Sequence, residues 1–319
     1  MNNSVSIVLA AFNGEKFIRE QLESIVDSEG FSSCVKEIII TDDGSSDKTI
    51  AIVEQIKRSR SLDCLKIVYN DQHGIINNFC NGLSYCSGEY IVLSDQDDIW
   101  EPKKITILKN ALDKCTGNNI TVPALVFSDS IMVNECNEII SESFFNYNKI
   151  NVRDDIKIQS LLTKNIAQGC VMMFNKALMK KIDFSTKKHW VMHDWYLLLL
   201  ASYLGRVCSV DNKLIRYRIH GNNALGFQKQ TIFSKIASFK KIFQKYRIYI
   251  DKVINQACFF ETEMNVKKNE ILTASLFLKN ETTFMRKIMS LYNFNYIKKR
   301  INYYRCLHHG VFEQGNHHE

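Results

Sequence analysis

The sequence predicts an α/β fold, a mostly parallel sheet flanked by helices and followed by a basic α-helical extension. Three observations carry that expectation. Short β-branched runs alternate with polar turns and amphipathic stretches through the first half of the 319 residues, which is the rhythm of β-α-β units. Hydrophobic residues make up 45% and charged residues 24% of the chain, proportions that exclude disordered, collagen-like and coiled-coil classes. Charge is divided unevenly within the formal net of +7: from Gly226 onward sixteen Lys and Arg face seven Asp and Glu, a net of +9, so the first 225 residues carry −2.

The elements follow in order. Ser4 to Ala11 reads as a buried strand; no basic segment precedes it and no cleavage-like site follows, so it is not expected to be a signal peptide. Phe17, Ile18, Leu22, Ile25 and Val26 recur at helical spacing from Glu15 to Val26. Glu37 to Thr41 is a second strand, Asp42-Asp43-Gly44-Ser45 its turn, and Ile50, Val53 and Ile56 the apolar line of a helix from about Asp47 to Arg58. Leu65 to Tyr69, Ile75 to Tyr85 and Tyr90 to Ser94 continue as strand, helix and strand, with a helix from Glu101 to Leu112 after them. Beyond Leu125 the pattern is mixed, with strands near Leu125 to Asp129, Cys170 to Asn175 and Lys213 to Tyr217 and a helix after Met192. No Pro-, Gly- or Ser-rich linker divides this part from the first, so residues 1–225 are expected to form one domain and 226–319 an extension. The longest apolar run, Trp195 to Gly205, is far short of the ~20 residues that cross a bilayer. Ten cysteines are scattered without a C-x-x-C pair, and Cys170 and Cys208 lie in apolar runs. A reduced, cytoplasmic setting is expected, with most thiols as small core residues.

In open α/β sheets ligands bind at the loops leaving the carboxyl ends of strands, and acidic residues gather there. Asp42 to Asp47 is either a turn with a helix cap or part of a site. In Asp95-Gln96-Asp97-Asp98 three carboxylates within four residues repel one another unless solvent or a cation screens them. In extended geometry Asp95 and Asp97 project to one side and together approach one divalent ion, Mg²⁺ or Mn²⁺ rather than Zn²⁺. Asp194, opening a helix, either caps it or is a base kept ionised by the helix dipole. Arg218 and His220 share one face of an extended segment and bring a cation beside a potential metal ligand. G-x-G-x-x-G and G-x-x-x-x-G-K-[ST] are both missing, which excludes a dehydrogenase or P-loop reading.

Five segments carry a resemblance: Val8-Leu9-Ala10-Ala11-Phe12-Asn13-Gly14-Glu15, Thr41-Asp42-Asp43-Gly44-Ser45, Ser94-Asp95-Gln96-Asp97-Asp98-Ile99-Trp100, His193-Asp194-Trp195 and Arg218-Ile219-His220. In order and spacing they resemble family 2 glycosyltransferases of GT-A fold over residues 4–225. The Ser-Asp-Gln-Asp-Asp-Ile-Trp and Met-His-Asp-Trp-Tyr forms are most similar to bacterial rhamnosyltransferases of cell-wall and capsular polysaccharide synthesis. The resemblance implies that Ala11, Asn13 and Glu15 line the base and ribose pocket, that Asp43 bonds the pyrimidine imide, and that Asp95 lies near the ribose. It places Asp97 on a Mn²⁺ or Mg²⁺ ion, His220 at the metal and diphosphate with Arg218 beside it, and Asp194 as general base. Gln168 and Gly169 fall on the acceptor side, where Trp100 and Trp195 either stack on sugar rings or pack. The implied donor is dTDP-rhamnose or a UDP-hexose such as UDP-glucose or UDP-galactose, and the acceptor a glycan or lipid-linked hydroxyl. One base with no second nucleophile argues for a single in-line displacement and hence inversion.

The extension offers Lys240-Lys241, Lys245-Tyr246-Arg247, Arg286-Lys287 and Lys298-Lys299-Arg300 among apolar and aromatic residues. Such a helix lies on an anionic membrane surface, each cation contributing roughly 1 kcal/mol, or packs on the catalytic domain or a second copy of the chain. No nucleic-acid motif accompanies these residues, so no nucleic-acid partner is expected. A peripheral place on the inner face of the cell membrane is the expectation.

Overall fold

The structure, a computed structural model, describes residues 4–220 and 234–263, the side chains of 234–247 excepted. Strands β1 (Val5–Ala11), β2 (Val35–Asp42), β3 (Leu65–Tyr69) and β4 (Tyr90–Ser94) lie parallel in the order β3-β2-β1-β4. Ile7, Val8 and Leu9, Ile38 to Ile40, and Ile91 to Leu93 are buried consecutively, because a parallel sheet is covered on both faces and its strands cannot alternate with polar residues. The cover includes α1 (Ile18–Val26), α2 (Thr49–Ser59) and α3 (Ile75–Ser84); α3 rests on β1 and β2, and α1 packs on α2.

The sheet continues through β5 (Ile99–Trp100), β6 (Ala124–Val133), β8 (Met172–Asn175) and β9 (Arg206–Arg218), with β7 (Ile139–Ser141) paired to β6. The order becomes β3-β2-β1-β4-β8-β6-β9-β5. β8 is antiparallel to both β4 and β6, and β9 is parallel to β6. Two reversals restore the direction, so the carboxyl end of β9 opens on the same edge as that of β4. Registers bring the ends level: Ala11 pairs with Asp42, and Leu9 with Ser94. The loops after β1, β2, β4 and β9 therefore share one rim, where the sequence motifs lie.

Several boundaries differ from expectation for identifiable reasons. The helix α4 (Lys104–Thr116) begins at Lys104 rather than Glu101, because the Glu101 N–H bonds the Leu214 carbonyl at 3.1 Å and keeps that residue with the sheet. β9 starts seven residues before the expected Lys213 and shifts register against β6 between Ser128 and Ile131. The exposed Asp211-Asn212 at that irregularity interrupts its apolar pattern. The expected strand at Cys170 opens with a 3₁₀ turn, Gly169–Val171.

Helix α5 (His193–Leu204) holds the longest apolar run and is buried from His193 through Ala201, because α3, β6, β9 and the turn at Ile158–Leu161 surround it. A helix apolar on all sides is here a central core element. Among the described residues no helix is long and apolar enough to cross a membrane. The last helix, α6 (Ser234–Glu263), lies in the stretch expected as an extension, yet Val253, Ala257 and Phe260 join the hydrophobic core. Phe260 meets Tyr196 and Tyr203 edge-on at 6.4 and 5.8 Å, and the Val191 N–H donates to Gln256 Oε1 at 2.6 Å. The basic side chains from Lys240 to Arg300 on which the membrane and second-copy expectations rest lie outside the described residues. The expectation of reduced cysteines is corrected at one pair, Cys115 at the end of α4 and Cys208 on β9, which form a disulfide. Of the other described cysteines, Cys80, Cys170 and Cys258 are buried, while Cys34, Cys64 and Cys86 are partly open and Cys136 is exposed.

Candidate active site

The rim is assembled by side chains that bind the backbone of neighbouring loops. The Gln96 amide makes a paired contact with one residue of the β1 loop: Phe12 N donates to Oε1 at 2.8 Å and Nε2 donates to the Phe12 carbonyl at 2.9 Å. Gly14 leaves room for this, since a Cβ there would stand 2.1 Å from Gln96 Oε1. Asn13 takes a left-handed conformation with φ 48°; its N–H donates to Ser45 Oγ and its Oδ1 accepts from Ser46 N, each at 2.9 Å. The Glu15 carboxylate accepts from Lys48 N at 3.0 Å. Asn13 and Glu15 are exposed on the rim, whereas Ala11 is buried with its carbonyl bonded by Asp43 N and Asn78 Nδ2 at 2.9 and 3.1 Å. Asp43 accepts from Asn70 Nδ2 at 2.6 Å and from Gly74 N at 2.8 Å, which ties the ends of β1, β2 and β3 together.

After β4 the chain bends at Gln96 and Asp97, so the alternation of an extended strand does not govern Asp95 and Asp97. The carboxylates diverge. Asp97 Oδ2 meets His220 Nε2 at 2.8 Å, and the His220 ring stacks on Phe17 at 4.9 Å. Ligand atoms of Asp95, Asp98 and Cys170 lie within 4.8 Å of one another. Burial, reinforced by the charges of Asp97 and Asp194, pushes Asp95 up to about 7. Asp98 is driven well above the carboxylate range by burial and then by Asp97 and Asp95. Its Oδ1 accepts from Arg218 N at 2.9 Å, while its buried Oδ2 has no hydrogen-bond partner. Two candidate positions for a hard divalent ion such as Mg²⁺ or Mn²⁺ result: the expected Asp97–His220 pair, and the Asp95–Asp98 carboxylates, where repulsion is strong but the Cys170 thiol is a softer neighbour than such an ion prefers.

The diphosphate-facing place expected for Arg218 is corrected. Its side chain is buried, with Nε on the Asp97 carbonyl (2.8 Å), one terminal nitrogen on the Glu135 carbonyl (2.8 Å) and the other on Glu20 Oε2 (2.6 Å). The guanidinium lies 4.8 Å from the Phe17 ring centre. It braces the acidic turn from behind.

Asp194 stands in the first turn of α5. Oδ1 accepts from Trp195 N at 2.6 Å and from Asn165 Nδ2 at 3.1 Å, and Oδ2 accepts from Gly169 N at 3.1 Å. Burial pushes its carboxyl up to about 6 against these hydrogen bonds, which pull the other way. His193 beside it stacks on Phe79 at 3.9 Å, has no partner for either ring nitrogen, and is pushed down to about 3 by burial, so its ring is neutral. Gly169 is required by this packing: a Cβ would fall 2.8 Å from His193 Nε2. The Gln168 amide atoms are buried without partners. The sugar-stacking alternative for the two tryptophans is corrected. Trp100 is 3% and Trp195 1% exposed; Trp195 donates from Nε1 to the Leu161 carbonyl at 2.6 Å, and Trp100 carries the Lys104 ammonium 3.8 Å from its ring centre.

Sequence reasoning passed over Gln96, Asn165 and Lys104. Gln96 sits inside a quoted motif, but its role is to hold backbone, and no spacing distinguishes such an amide. Lys104 looks like a solvated helix-start lysine; only the fold reveals that it is buried.

Comparison with known proteins agrees with this geometry. A curated glycosyltransferase of uncharacterised specificity from Haemophilus influenzae is 27% identical over 280 residues, 86% of this chain and 84% of its own length. A dTDP-rhamnosyl transferase, RfbG of Shigella flexneri, is 28% identical over 232 residues, 68% of this chain and 73% of its own. Among solved structures, residues 1–349 of Staphylococcus aureus TarS in complex with UDP-GlcNAc superpose with a TM-score of 0.53 at 15% identity, covering 99% of this chain and 93% of that one, a likeness of GT-A fold. The profile of Glycosyl transferase family 2 matches residues 6–182, and the chain is a glycosyltransferase belonging to that family.

Proposed function

We propose that the protein is an inverting, metal-dependent transferase that moves L-rhamnose from dTDP-β-L-rhamnose to a hydroxyl of a lipid-linked or polysaccharide acceptor in cell-surface glycan synthesis. The observation that supports the chemistry is Asp194, a buried carboxylate held by the Gly169 and Trp195 N–H groups and Asn165 beside the acidic turn, with burial pushing it up to about 6. A base must be ionised at working pH yet basic enough to take a proton, and a value of about 6 serves both needs. Asn13, Glu15 and Asp43 hold the nucleotide at the rim, with Ala11 as the buried floor and Asp95 toward the ribose. Asp97 and His220 would hold a divalent ion, which supplies charge neutralisation for the departing diphosphate. Gly169 N–H and Asn165 keep the Asp194 carboxylate oriented while it removes the acceptor hydroxyl proton. Gln168 and Gly169 border the acceptor side. One base acting from the face opposite the leaving group gives an α-L-rhamnosyl product.

Motif similarity to bacterial rhamnosyltransferases and the likeness to the Shigella protein support the donor assignment. Its test is a thermal-shift and donor-hydrolysis panel of nucleotide sugars with Mn²⁺ or Mg²⁺. Stabilisation and turnover with dTDP-rhamnose are expected; a response to UDP-glucose or UDP-galactose alone replaces rhamnose with a hexose. The basic extension supports a peripheral position on the inner face of an anionic membrane, near a lipid-linked acceptor.

A further inference from the structure

Lys104 is the first residue of α4, a position usually solvated, yet it is 0% exposed. A buried ammonium loses its hydration and requires hydrogen bonds and opposite charge in return. Three partners surround it. Nζ donates to the Cys170 carbonyl at 2.6 Å and lies 3.8 Å from the centre of the Trp100 ring; burial pushes the ammonium down to about 7, while Cys170, Asp98 and Asp95 pull it the other way. Trp100, Asp95 and Asp98 belong to the acidic turn. Cys170 belongs to the 3₁₀ turn whose Gly169 N–H donates to Asp194. One side chain thus spans from the acidic turn to the backbone that holds the base.

We propose that Lys104 is a positioning residue that fixes the acidic turn and the Asp194 loop in a single frame. Its charge sits behind Asp95 and Asp98, and its bond to the Cys170 carbonyl aims the adjacent Gly169 N–H at Asp194 Oδ2. This rests on the reading of Asp194 as the base. Lysine suits the place because a straight stem delivers a compact charge to one carbonyl, whereas the broader guanidinium of arginine needs more room.

The test compares Lys104→Met, which keeps the length and apolar stem, and Lys104→Gln, which keeps a donor without charge, in the full chain beside Asp194→Asn. Lys104→Met is expected to lower kcat at least about ten-fold with donor KM within about two-fold. The pH midpoint of kcat is expected to rise, because Asp194 loses the hydrogen bond that favours its charged form. Lys104→Gln should fall between wild type and Lys104→Met, with the wild-type midpoint. Wild-type kcat and midpoint in Lys104→Met, alongside an inactive Asp194→Asn, overturn the role of Lys104 alone. Near wild-type transfer by Asp194→Asn overturns the base reading instead. If the methionine variant does not fold, the glutamine variant decides: lowered kcat at constant donor KM supports the proposal, and unchanged kcat overturns it.

Discussion

Asp194 accepts three hydrogen bonds and still titrates near neutrality, because loss of hydration outweighs them. Moving a carboxyl from its ordinary range to about 6 corresponds to about 3 kcal/mol that disfavours the ionised folded form. The sign is definite. A folded-state value raised above the unfolded one gives a stability contribution complete below pH ~4 and lost as pH rises through about 6, the same interval in which Asp194, if it is the base as proposed, becomes competent. A kcat profile measured from pH 4.5 to 8.5 is therefore expected to climb through a midpoint near 6; a flat profile across that interval would contradict the assignment. Residue type and position led the sequence to put Asp43, Asp95, Asp97, Asp194 and His220 next to strand ends or at a helix start, and the structure has them at those places. Arg218 was placed toward the diphosphate and the two tryptophans were left between stacking and packing, because proximity to a motif says nothing about which way a side chain faces. Asn165 was invisible because its contribution is one hydrogen bond across 29 positions of chain.

At the level of elements, the parallel half of the sheet was readable because buried parallel strands are uninterrupted β-branched runs. The other half was blurred by the short β7, which pairs only locally with β6, and by a two-residue strand at Ile99–Trp100 and a register shift in β9, whose partners are distant in sequence. The loops after β1 and β4 are welded by Gln96, whose amide closes a two-point contact on Phe12. Gln96→Ala removes both bonds, and Gly14→Ala drives a methyl into the space the amide occupies. Either change is expected to weaken nucleotide affinity by about 1–2 kcal/mol, read by titration calorimetry with nucleotide diphosphate and Mn²⁺. The loss should be smaller in thermal stability than in binding, because both sites lie on rim loops and outside the packed core.

Across the whole molecule, two long-range ties complete the fold. The Cys115–Cys208 bridge closes a separation of 93 residues between α4 and β9, and cross-links of that span typically contribute 2–4 kcal/mol by restricting the unfolded chain. Reductant is expected to lower Tm by several degrees, and alkylation without reductant should leave these two cysteines unmodified. Equal Tm with and without reductant would show that the bridge contributes nothing to stability.

The second tie is α6. Gln256 holds the Val191 N–H three residues before Asp194, and Phe260 closes against Tyr196 and Tyr203 on α5, whose first turn carries Asp194. Cutting the chain at 226 would strip this buttress and uncover an aromatic face beside α5. If the basic residues do meet a membrane, charge reversal at positions such as Lys298, Lys299 and Arg300 in an otherwise intact chain is expected to release the protein from anionic vesicles while leaving this buttress and turnover in place.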